Sequence, residues 1–314
     1  MIPDIDVAVI VPCYNEEQAI AKVVTDLATY LPGARIYVYD NASIDDTSRV
    51  AAEAGASVRH EARKGKGNVI RRAFADIDAD VFVIIDGDDT YDASVAPMLV
   101  HELLRGPYDH VLGVRAAGPG TSAYRPGHQR GNRVLNRLVG LIFGTDMEDM
   151  LSGYRVLSRR FVKSFPAVSR EFEIETELTV HSLALRIPHT TVPVGFRDRA
   201  DGTESKLRTY RDGTKILQLI LALTRHERPV AFYGILGLLS LLTGLVLAAP
   251  VVLDFLETGE VLRFPTLFVA LTLFLAAFLS GAAGLILDGI RKQRHELSRL
   301  AYLTYSPPTE RLSP

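Results

Sequence analysis

The chain has 314 residues, of which 47% are apolar, and its formal net charge is −2. A net charge this small gives no indication of nucleic-acid binding. The single cysteine, Cys13, excludes an internal disulfide, and its apolar neighbours indicate a small buried side chain rather than a reactive thiol. The N-terminus lacks the basic residues and long apolar run of a signal peptide, so we expect the N-terminal part to stay in the cytoplasm.

Strand and helix patterns alternate along roughly the first 200 residues, which is typical of an α/β fold with a mostly parallel sheet. Short apolar runs predict strands, and apolar residues at helical spacing predict helices. The predicted strands are Val7 to Val11, Ile36 to Tyr39 and Val81 to Ile85. The predicted helices start at Glu16 and run from Asp45 to Ala54 and from Gly67 to Ile77.

Two carboxylates stand at the end of the third predicted strand, in the sequence Asp86-Gly87-Asp88. Ligands of parallel sheets bind beyond the carboxyl ends of the strands, and Asp40 follows the second strand at the same edge. Mg²⁺ usually binds through one or two carboxylates together with substrate phosphates. The pair therefore predicts a divalent cation held against a diphosphate. For Asp45 and Asp46, which open a helix, capping is the favoured interpretation.

Four clusters of polar residues carry a family resemblance. They are Val11 to Glu17, Asp40 to Thr47, Asp86 to Asp92, and Asp149 to Arg155 followed by Arg199 to Lys206. Together they resemble the family 2 glycosyltransferases, and within that family the polyprenyl-phosphate (dolichol-phosphate-mannose-synthase-like) hexosyltransferases. The resemblance implies a GT-A nucleotide-sugar-binding fold, a Mg²⁺ or Mn²⁺ cofactor, and inversion at the anomeric carbon.

The resemblance also implies a role for each matching residue. Nucleotide-sugar binding falls to Pro12, Tyr14, Glu16, Asp40, Asn41, Lys66, Asp86, Arg199 and Lys206. The metal falls to Asp86, Asp88 and Thr90, and the acceptor phosphate to Arg115, Arg130 and Ser152. The catalytic residues would be Asp88, Asp149 and Arg155. Asn41 departs from the paired acids of the family, which makes the choice of base less certain because an amide both accepts and donates.

The chemistry of such a transfer agrees with these roles. The departing nucleotide diphosphate gains negative charge, which a metal and nearby cations stabilise. A phosphate acceptor is already ionised near neutral pH, so a strong base is not needed. Three roles are open for Asp149: it would act as a base, orient the acceptor, or hold Arg155 in place. Of three alternating acids on a predicted helix, we expect Glu175 to reach the site.

Two uncharged apolar segments, 230–253 and 266–287, are each long enough to cross a bilayer. Basic residues lie before the first segment and after the second, and the loop between the segments is acidic. This distribution of charge predicts that the catalytic part and both termini lie in the cytoplasm. We therefore predict a glycosyltransferase domain at 1–210, an amphipathic juxtamembrane helix at 211–228, a transmembrane hairpin at 229–290 and a cytoplasmic tail at 291–314. The tail is expected to be disordered from Ser306.

Three other functions remain as alternatives. Asp86 and Asp88 also fit the nucleophile and acid of a haloacid-dehalogenase-like phosphatase, although that motif is expected on the first strand and here two predicted strands precede it. A processive polysaccharide synthase would carry a Gln-x-x-Arg-Trp motif, and the chain has no tryptophan. A membrane scaffold would not need these acids and bases together. The sequence does not distinguish UDP-glucose, a UDP-N-acetylhexosamine and GDP-mannose as the donor. It does not determine the oligomeric state either.

Overall fold

The computed structural model describes residues 5–117, 137, 139–140, 149–167, 174–197, 221–222 and 224–308. The chain divides into two compact units. The first comprises Met1–Gly213 and Leu297–Pro314, and the second comprises Thr214–Glu296.

The first unit is built on a sheet of seven strands, in the order β3-β2-β1-β4-β6-β5-β7. The strands are β1 (Val7–Cys13), β2 (Arg35–Asp40), β3 (Ser57–His60), β4 (Val81–Ile84), β5 (His110–Ala117), β6 (Arg155–Ser158) and β7 (His189–Phe196). Within the described residues, the helices of this unit are α1 (Ile20–Tyr30), α2 (Thr47–Glu53), α3 (Lys66–Asp76), α4 (Ala96–Arg105), α5 (Arg159–Ser164) and α6 (Ile174–Ala184).

The predicted α/β architecture is confirmed, since six of the described strands run in one direction and β6 alone among them runs in the other. Strand β1 is covered on both faces, which explains its continuous apolar run. Val9 and Val11 pack with α1 and α4 on one face, whereas Ala8 and Ile10 pack with α3 on the other. These two layers of side chains form the core.

Strand β3 was not predicted. It lies at the edge of the sheet, and none of its four residues is buried: the first and last are exposed and the middle two are half-buried. A short edge strand of this kind buries too little surface to need an apolar run, so the sequence carries a weak signal. As a result, three strands rather than two precede β4, the strand that leads to Asp86.

The site lies at one edge of this sheet. Strands β1, β2 and β4 all end there, and the antiparallel strand β6 begins there. The loop from Asp149 to Tyr154, which enters β6, therefore meets the residues that follow β4. One strand of reversed direction brings distant parts of the chain to the same edge.

The C-terminal end of the chain packs on the first unit. The last helix of the chain, α8 (Phe264–Leu303), extends beyond the predicted span, and its final residues from Leu297 belong to this unit. The hydroxyl of Tyr302 donates a hydrogen bond to Asp109 Oδ2 over 2.7 Å. Pro308 is buried, so the expectation of disorder from Ser306 is wrong for the residues up to 308.

The second unit contains the two long apolar helices, α7 (Pro229–Thr258) and the part of α8 up to Glu296. Both helices are long and apolar enough to cross a membrane, and most of their residues are not buried in the structure. Small residues let the helices approach closely. A Cβ atom on Gly237 would lie 3.1 Å from the carbonyl oxygen of Ala277. Such packing is typical of helix pairs in membranes.

Candidate active site

Asp86 and Asp88 lie just beyond the end of β4, on a turn that needs glycine between them. A Cβ atom on Gly87 would collide with the sulfur of Cys13 in β1. Asp88 is 9% exposed, and its Oδ1 accepts hydrogen bonds from Thr90 Oγ1 at 2.6 Å and from Thr90 N at 3.2 Å. Thr90, predicted as a further metal ligand, thus orients the carboxylate of Asp88.

Four carboxylates surround the thiol beneath this turn. Cys13 is buried, as predicted. Burial raises the pKa of its thiol, and the charges of Glu16, Asp40, Asp86 and Asp88 raise it further. Acidic side chains at or just after the ends of β1, β2 and β4 therefore gather at this edge of the sheet. Such a cluster attracts a cation and needs a counter-charge before a diphosphate can approach.

The donor set fits a hard divalent cation. Asp86 and Asp88 offer carboxylate oxygens one residue apart, at a sheet edge where phosphates would supply the remaining ligands. Among the described residues, no group of three His, Cys, Asp or Glu side chains forms a metal site. Two protein carboxylates completed by phosphate and water are the usual ligand set for Mg²⁺.

Lys66 is held against Asp86. It opens α3, and its ammonium lies 2.5 Å from Asp86 Oδ1 and 2.6 Å from Glu175 Oε1. Burial lowers the pKa of Lys66, but the two carboxylates outweigh burial and leave that pKa raised. A Cβ on Gly153 would collide with Asp86 Oδ2, so a glycine is required where the loop before β6 crosses this pair. The prediction that Glu175 reaches the site agrees with this contact.

Asn41 fixes the loop that leads to Lys66. Its amide nitrogen donates to the carbonyl oxygens of Glu61 at 2.9 Å and Arg63 at 2.7 Å. Its amide oxygen accepts from Gly65 N at 2.6 Å. A carboxylate could not donate the first two bonds, which gives a physical reason for asparagine at this position. The side chain predicted to contact the base here holds the backbone of the loop.

Asp40 ends β2 and is bound by the start of the next helix. Its carboxylate accepts from Ser43 N at 2.9 Å and from Ser48 Oγ at 2.6 Å. Burial raises the pKa of Asp40, but the hydrogen bonds from Ser43 and Ser48 prevail, and the pKa lies below its ordinary value. Asp40 is therefore an anion at neutral pH.

The capping prediction is confirmed for Asp45 and wrong for Asp46. Asp45 Oδ1 accepts from Thr47 N at 3.1 Å, at the first turn of α2. Asp46 makes no such bond and instead pairs with Arg49 at 2.8 Å. Asp45 and Asp88 line a small cavity of about 80 Å³ together with Glu16 and Glu17.

The residues after β1 form the opposite side of this edge. Pro12 is part of β1, and Tyr14 follows it. Lys64 Nζ donates to the Tyr14 hydroxyl at 3.1 Å and lies 4.7 Å from the centre of the tyrosine ring. Glu16 is 8% exposed, and its amide nitrogen donates to Thr47 Oγ1 at 2.9 Å. The first and second clusters of the sequence therefore meet.

Asp149 forms an ion pair with Arg115, not with Arg155 as one of its predicted roles requires. Arg115 Nε lies 2.7 Å and Arg115 Nη2 2.5 Å from the two carboxylate oxygens. Asp149 adopts a φ of 51°, in the left-handed region, and the bidentate pair holds it there. The guanidinium of Arg115 also lies 5.4 Å from the Phe196 ring.

Arg155 is almost fully buried beneath the loop that precedes it. Its guanidinium donates to the carbonyl oxygens of Met150 at 2.7 Å and Ser152 at 3.0 Å, and to Thr179 Oγ1 at 2.9 Å. Burial lowers its pKa to about 10, which leaves it charged at neutral pH. Both Arg155 and the buried Ser152 therefore support the loop from inside.

Tyr91 is a residue of this site that the sequence analysis did not identify. Its hydroxyl accepts a hydrogen bond from Gly153 N at 2.9 Å and lies 3.2 Å from Ser152 Oγ. It belongs to the cluster Asp86 to Asp92, in which only Asp86, Asp88 and Thr90 were predicted to take part in the site. Three predicted site residues, Arg130, Arg199 and Lys206, lie outside the described residues, as does most of the predicted juxtamembrane helix.

Comparison with known proteins identifies the family. Residues 8–165 match the family described as "Glycosyl transferase family 2". The chain belongs to this family. Glycosyltransferase AglJ of Haloferax volcanii is 36% identical over 243 residues, which cover 77% of this chain and 80% of AglJ. The chain is therefore a glycosyltransferase, which contradicts the phosphatase alternative for Asp86 and Asp88.

A second relative and a group of solved structures extend the comparison. The dolichyl-phosphate hexose transferase of Haloferax volcanii is 29% identical over 228 residues, or 71% of this glycosyltransferase and 96% of the relative. Glucosyl-3-phosphoglycerate synthase of Mycobacterium tuberculosis, solved with Mn²⁺, UDP-glucose and phosphoglyceric acid, superposes with a TM-score of 0.57. It covers 70% of this chain and 79% of its own, at 24% identity. That likeness supports the GT-A fold alone.

Proposed function

We propose that this family 2 glycosyltransferase moves a hexose from a nucleotide sugar to the phosphate of a polyprenyl lipid, with inversion at the anomeric carbon. The observation that carries the proposal is the presence, in one chain, of a glycosyltransferase unit and two helices long enough to cross a bilayer. A lipid acceptor lies in the bilayer, so helices that cross the bilayer would hold the enzyme close to it. The relative named dolichyl-phosphate hexose transferase, which matches 71% of the chain, supports the same acceptor class.

On the donor side, the acidic edge of the sheet holds the nucleotide diphosphate. Asp86 and Asp88 would hold Mg²⁺ or Mn²⁺, and that ion would neutralise the charge that develops on the leaving diphosphate. Thr90 fixes the orientation of Asp88. The carboxylate of Asp40 and the loop held by Asn41 shape the nucleoside end. Arg199 and Lys206 are proposed to contact the phosphates, as the family resemblance implies.

On the acceptor side, Arg115 is the phosphate-binding group, together with Arg130. Asp149 orients the guanidinium of Arg115 through the bidentate pair, so it acts as a positioning residue. Arg155 positions the loop that carries Asp149, because it donates to the carbonyl oxygens of that loop. An oxygen of the ionised lipid phosphate attacks the anomeric carbon, and the bond from that carbon to the nucleotide diphosphate breaks. This attack needs no strong base in the protein.

The membrane helices would present the site to the lipid. We propose that α7 and α8 cross the inner membrane as a hairpin, with the catalytic unit and both termini in the cytoplasm. Asp254, Glu257 and Glu260 lie near the turn between the helices, whereas Arg291, Lys292 and Arg294 follow the second span. This distribution of positive charge favours a cytoplasmic catalytic unit.

The test uses membranes that contain the full-length chain, with polyprenyl phosphate and radiolabelled UDP-glucose, UDP-N-acetylhexosamine or GDP-mannose. We expect one donor to label the organic-extractable lipid, and chelation of divalent ions to stop the labelling until Mg²⁺ or Mn²⁺ is restored. Label that appears only in water-soluble products with every donor would contradict a lipid acceptor.

A matched pair of variants tests the metal residue. We expect Asp88→Asn to lower the rate of transfer at least about 100-fold, because the variant removes one of two anionic ligands. Asp89→Asn makes the same chemical change one position along, in a side chain that pairs with Lys22, and should retain transfer. Rapid turnover by Asp88→Asn would remove this carboxylate from the mechanism.

A further inference from the structure

The ammonium of Lys66 has two carboxylate partners and three hydrogens. Asp86 Oδ1 and Glu175 Oε1 lie 2.5 and 2.6 Å from it, and the Lys66 side chain is only 10% exposed. A lysine ammonium donates three hydrogen bonds, so one donor remains beyond these two among the described contacts. The Lys66 ammonium is therefore a fixed, charged hydrogen-bond donor beside Asp86, the carboxylate that the proposed function places next to the diphosphate of the nucleotide sugar.

Glu175 presents an unused acceptor next to this donor. Its side chain is 7% exposed, and Oε1 is bound to Lys66. Its second oxygen, Oε2, is buried and has no hydrogen-bond partner among the described residues. A buried acceptor without a partner is unfavourable by about 1–3 kcal/mol, and native structures rarely keep one without a reason. A ligand that brings a donor to this oxygen supplies the reason.

We propose that Lys66 and Glu175 together recognise one hydroxyl group of the transferred hexose. A hydroxyl donates one hydrogen bond and accepts others, so it can donate to Glu175 Oε2 and accept from Lys66 Nζ. The position of Lys66 and Glu175 fits this role, because Lys66 also contacts Asp86, where the proposed function places the diphosphate that carries the hexose. The inference rests on the donor part of the proposed function and is independent of the lipid acceptor.

The first test needs only the wild-type protein. Donors that each lack a single hydroxyl of the hexose are compared with the intact UDP- or GDP-hexose selected by the labelling panel. A site built to bind a hydroxyl rejects the analogue without it by a factor of about 10⁴ in kcat/KM. We expect one analogue to suffer a loss of this size. Small and equal losses for all analogues would overturn the proposal.

The second test combines the analogues with Glu175→Gln, whose amide oxygen can still accept from Lys66. This variant loses the acceptor at Oε2, so we expect the sensitive analogue and the intact donor to react at similar, reduced rates. Glu177→Gln is the control, because residues two apart on a helix do not face each other. That variant should keep the full discrimination of the wild type. If the loss caused by the analogue and the loss caused by Glu175→Gln multiply, Glu175 does not contact that hydroxyl.

A binding measurement separates this role from two simpler ones. If Glu175 only balances the charge of Lys66, Glu175→Gln should weaken the binding of the nucleoside diphosphate and of the nucleotide sugar equally. If Oε2 binds only a water molecule, the variant should weaken the binding of neither ligand. We expect the affinity for the nucleoside diphosphate to stay within about 3-fold and that for the nucleotide sugar to fall at least about 10-fold. Since calorimetric binding needs no acceptor, failure of the lipid proposal would leave this result interpretable.

Discussion

At the scale of single residues, the site is organised by groups that bind the protein itself. Asn41 uses its amide to hold the loop before Lys66, and Arg155 uses its guanidinium to hold the loop before β6. Both residues stood out in the sequence as ligand contacts. Their hydrogen bonds to backbone carbonyl oxygens hold the loops that carry Lys66 and Asp149.

Asp40 gives the site a measurable pH dependence. Its folded pKa lies below the ordinary value of 3.8, so the carboxylate stabilises the fold above that value and the stabilisation is lost as the pH falls through the folded pKa. We expect Ser48→Ala to lower the unfolding free energy by about 1 kcal/mol at pH 7 and by much less near pH 3. The measurement is chemical denaturation at both pH values.

Thr29→Ala is the control for this experiment. The Thr29 hydroxyl donates to the backbone carbonyl oxygen of Thr25, which does not titrate. Its effect on the unfolding free energy should therefore be the same at both pH values. A Ser48→Ala effect that is equally constant would show that the Asp40 carboxylate gains no stability from this hydroxyl.

At the scale of elements, the close contact between β1 and the turn after β4 decides where Asp86 and Asp88, the acids proposed to bind the metal, lie. Cys13 ends β1, and Gly87 passes directly over its sulfur. The two strands pair in parallel register, from Val7 opposite Val81 to Ile10 opposite Ile84. The turn is therefore held by the sheet beneath it, and its freedom to move is small.

Gly87→Ala should disturb this contact. The added Cβ collides with the sulfur of Cys13, and crowding of this kind destabilises by about 1–3 kcal/mol. Cys13→Ala removes the sulfur, so the double variant should be more stable than the sum of the single effects predicts. Urea denaturation of the four proteins measures the coupling. Additive effects would mean that the sulfur is not what restricts residue 87.

At the scale of the whole molecule, the C-terminal end returns to the unit that carries the active site. Asp109 is fully buried and accepts hydrogen bonds from Ser158, Arg160 and Tyr302. Tyr302 also packs under the guanidinium of Arg160, at 4.6 Å from the ring centre. Removal of the chain after residue 228 would therefore remove part of the first unit as well as both apolar helices.

Two phenylalanine substitutions test this contact. Tyr302→Phe keeps the ring and removes the hydrogen bond to a buried carboxylate, which should lower stability by about 1–2 kcal/mol, or a few degrees in Tm. Tyr305→Phe is the matched control, since the Tyr305 ring contacts Arg159 and its hydroxyl has no hydrogen bond within the described part of the chain. Thermal unfolding in detergent compares the two. Equal Tm values for both variants would contradict a stabilising role for the Tyr302 hydroxyl.

The orientation in the membrane can be tested with the same full-length chain. Glu260→Cys places a thiol in the exposed turn between α7 and α8, and Glu296→Cys places one on exposed helix beyond the second span. An impermeant maleimide added to intact cells should label only Glu260→Cys, because Cys13 is buried. Labelling of Glu296→Cys from outside would reverse the proposed orientation.

Sequence periodicity alone determined the alternation of strands and helices, the two apolar segments and the position of the acids at the ends of strands. These features are local, because each follows from spacing along a few residues. Spacing also placed Asp86, Asp88 and Asp40 at one edge, since parallel strands end together.

Only the tertiary structure decided which side chains pair. The antiparallel direction of β6, the partner of Asp149 and the contact between Lys66 and Glu175 join residues far apart in the chain. The same holds for the docking of Tyr302, which lies 193 positions from Asp109. Such pairings depend on how buried charges are satisfied in three dimensions, and the order of residues along the chain does not encode that directly.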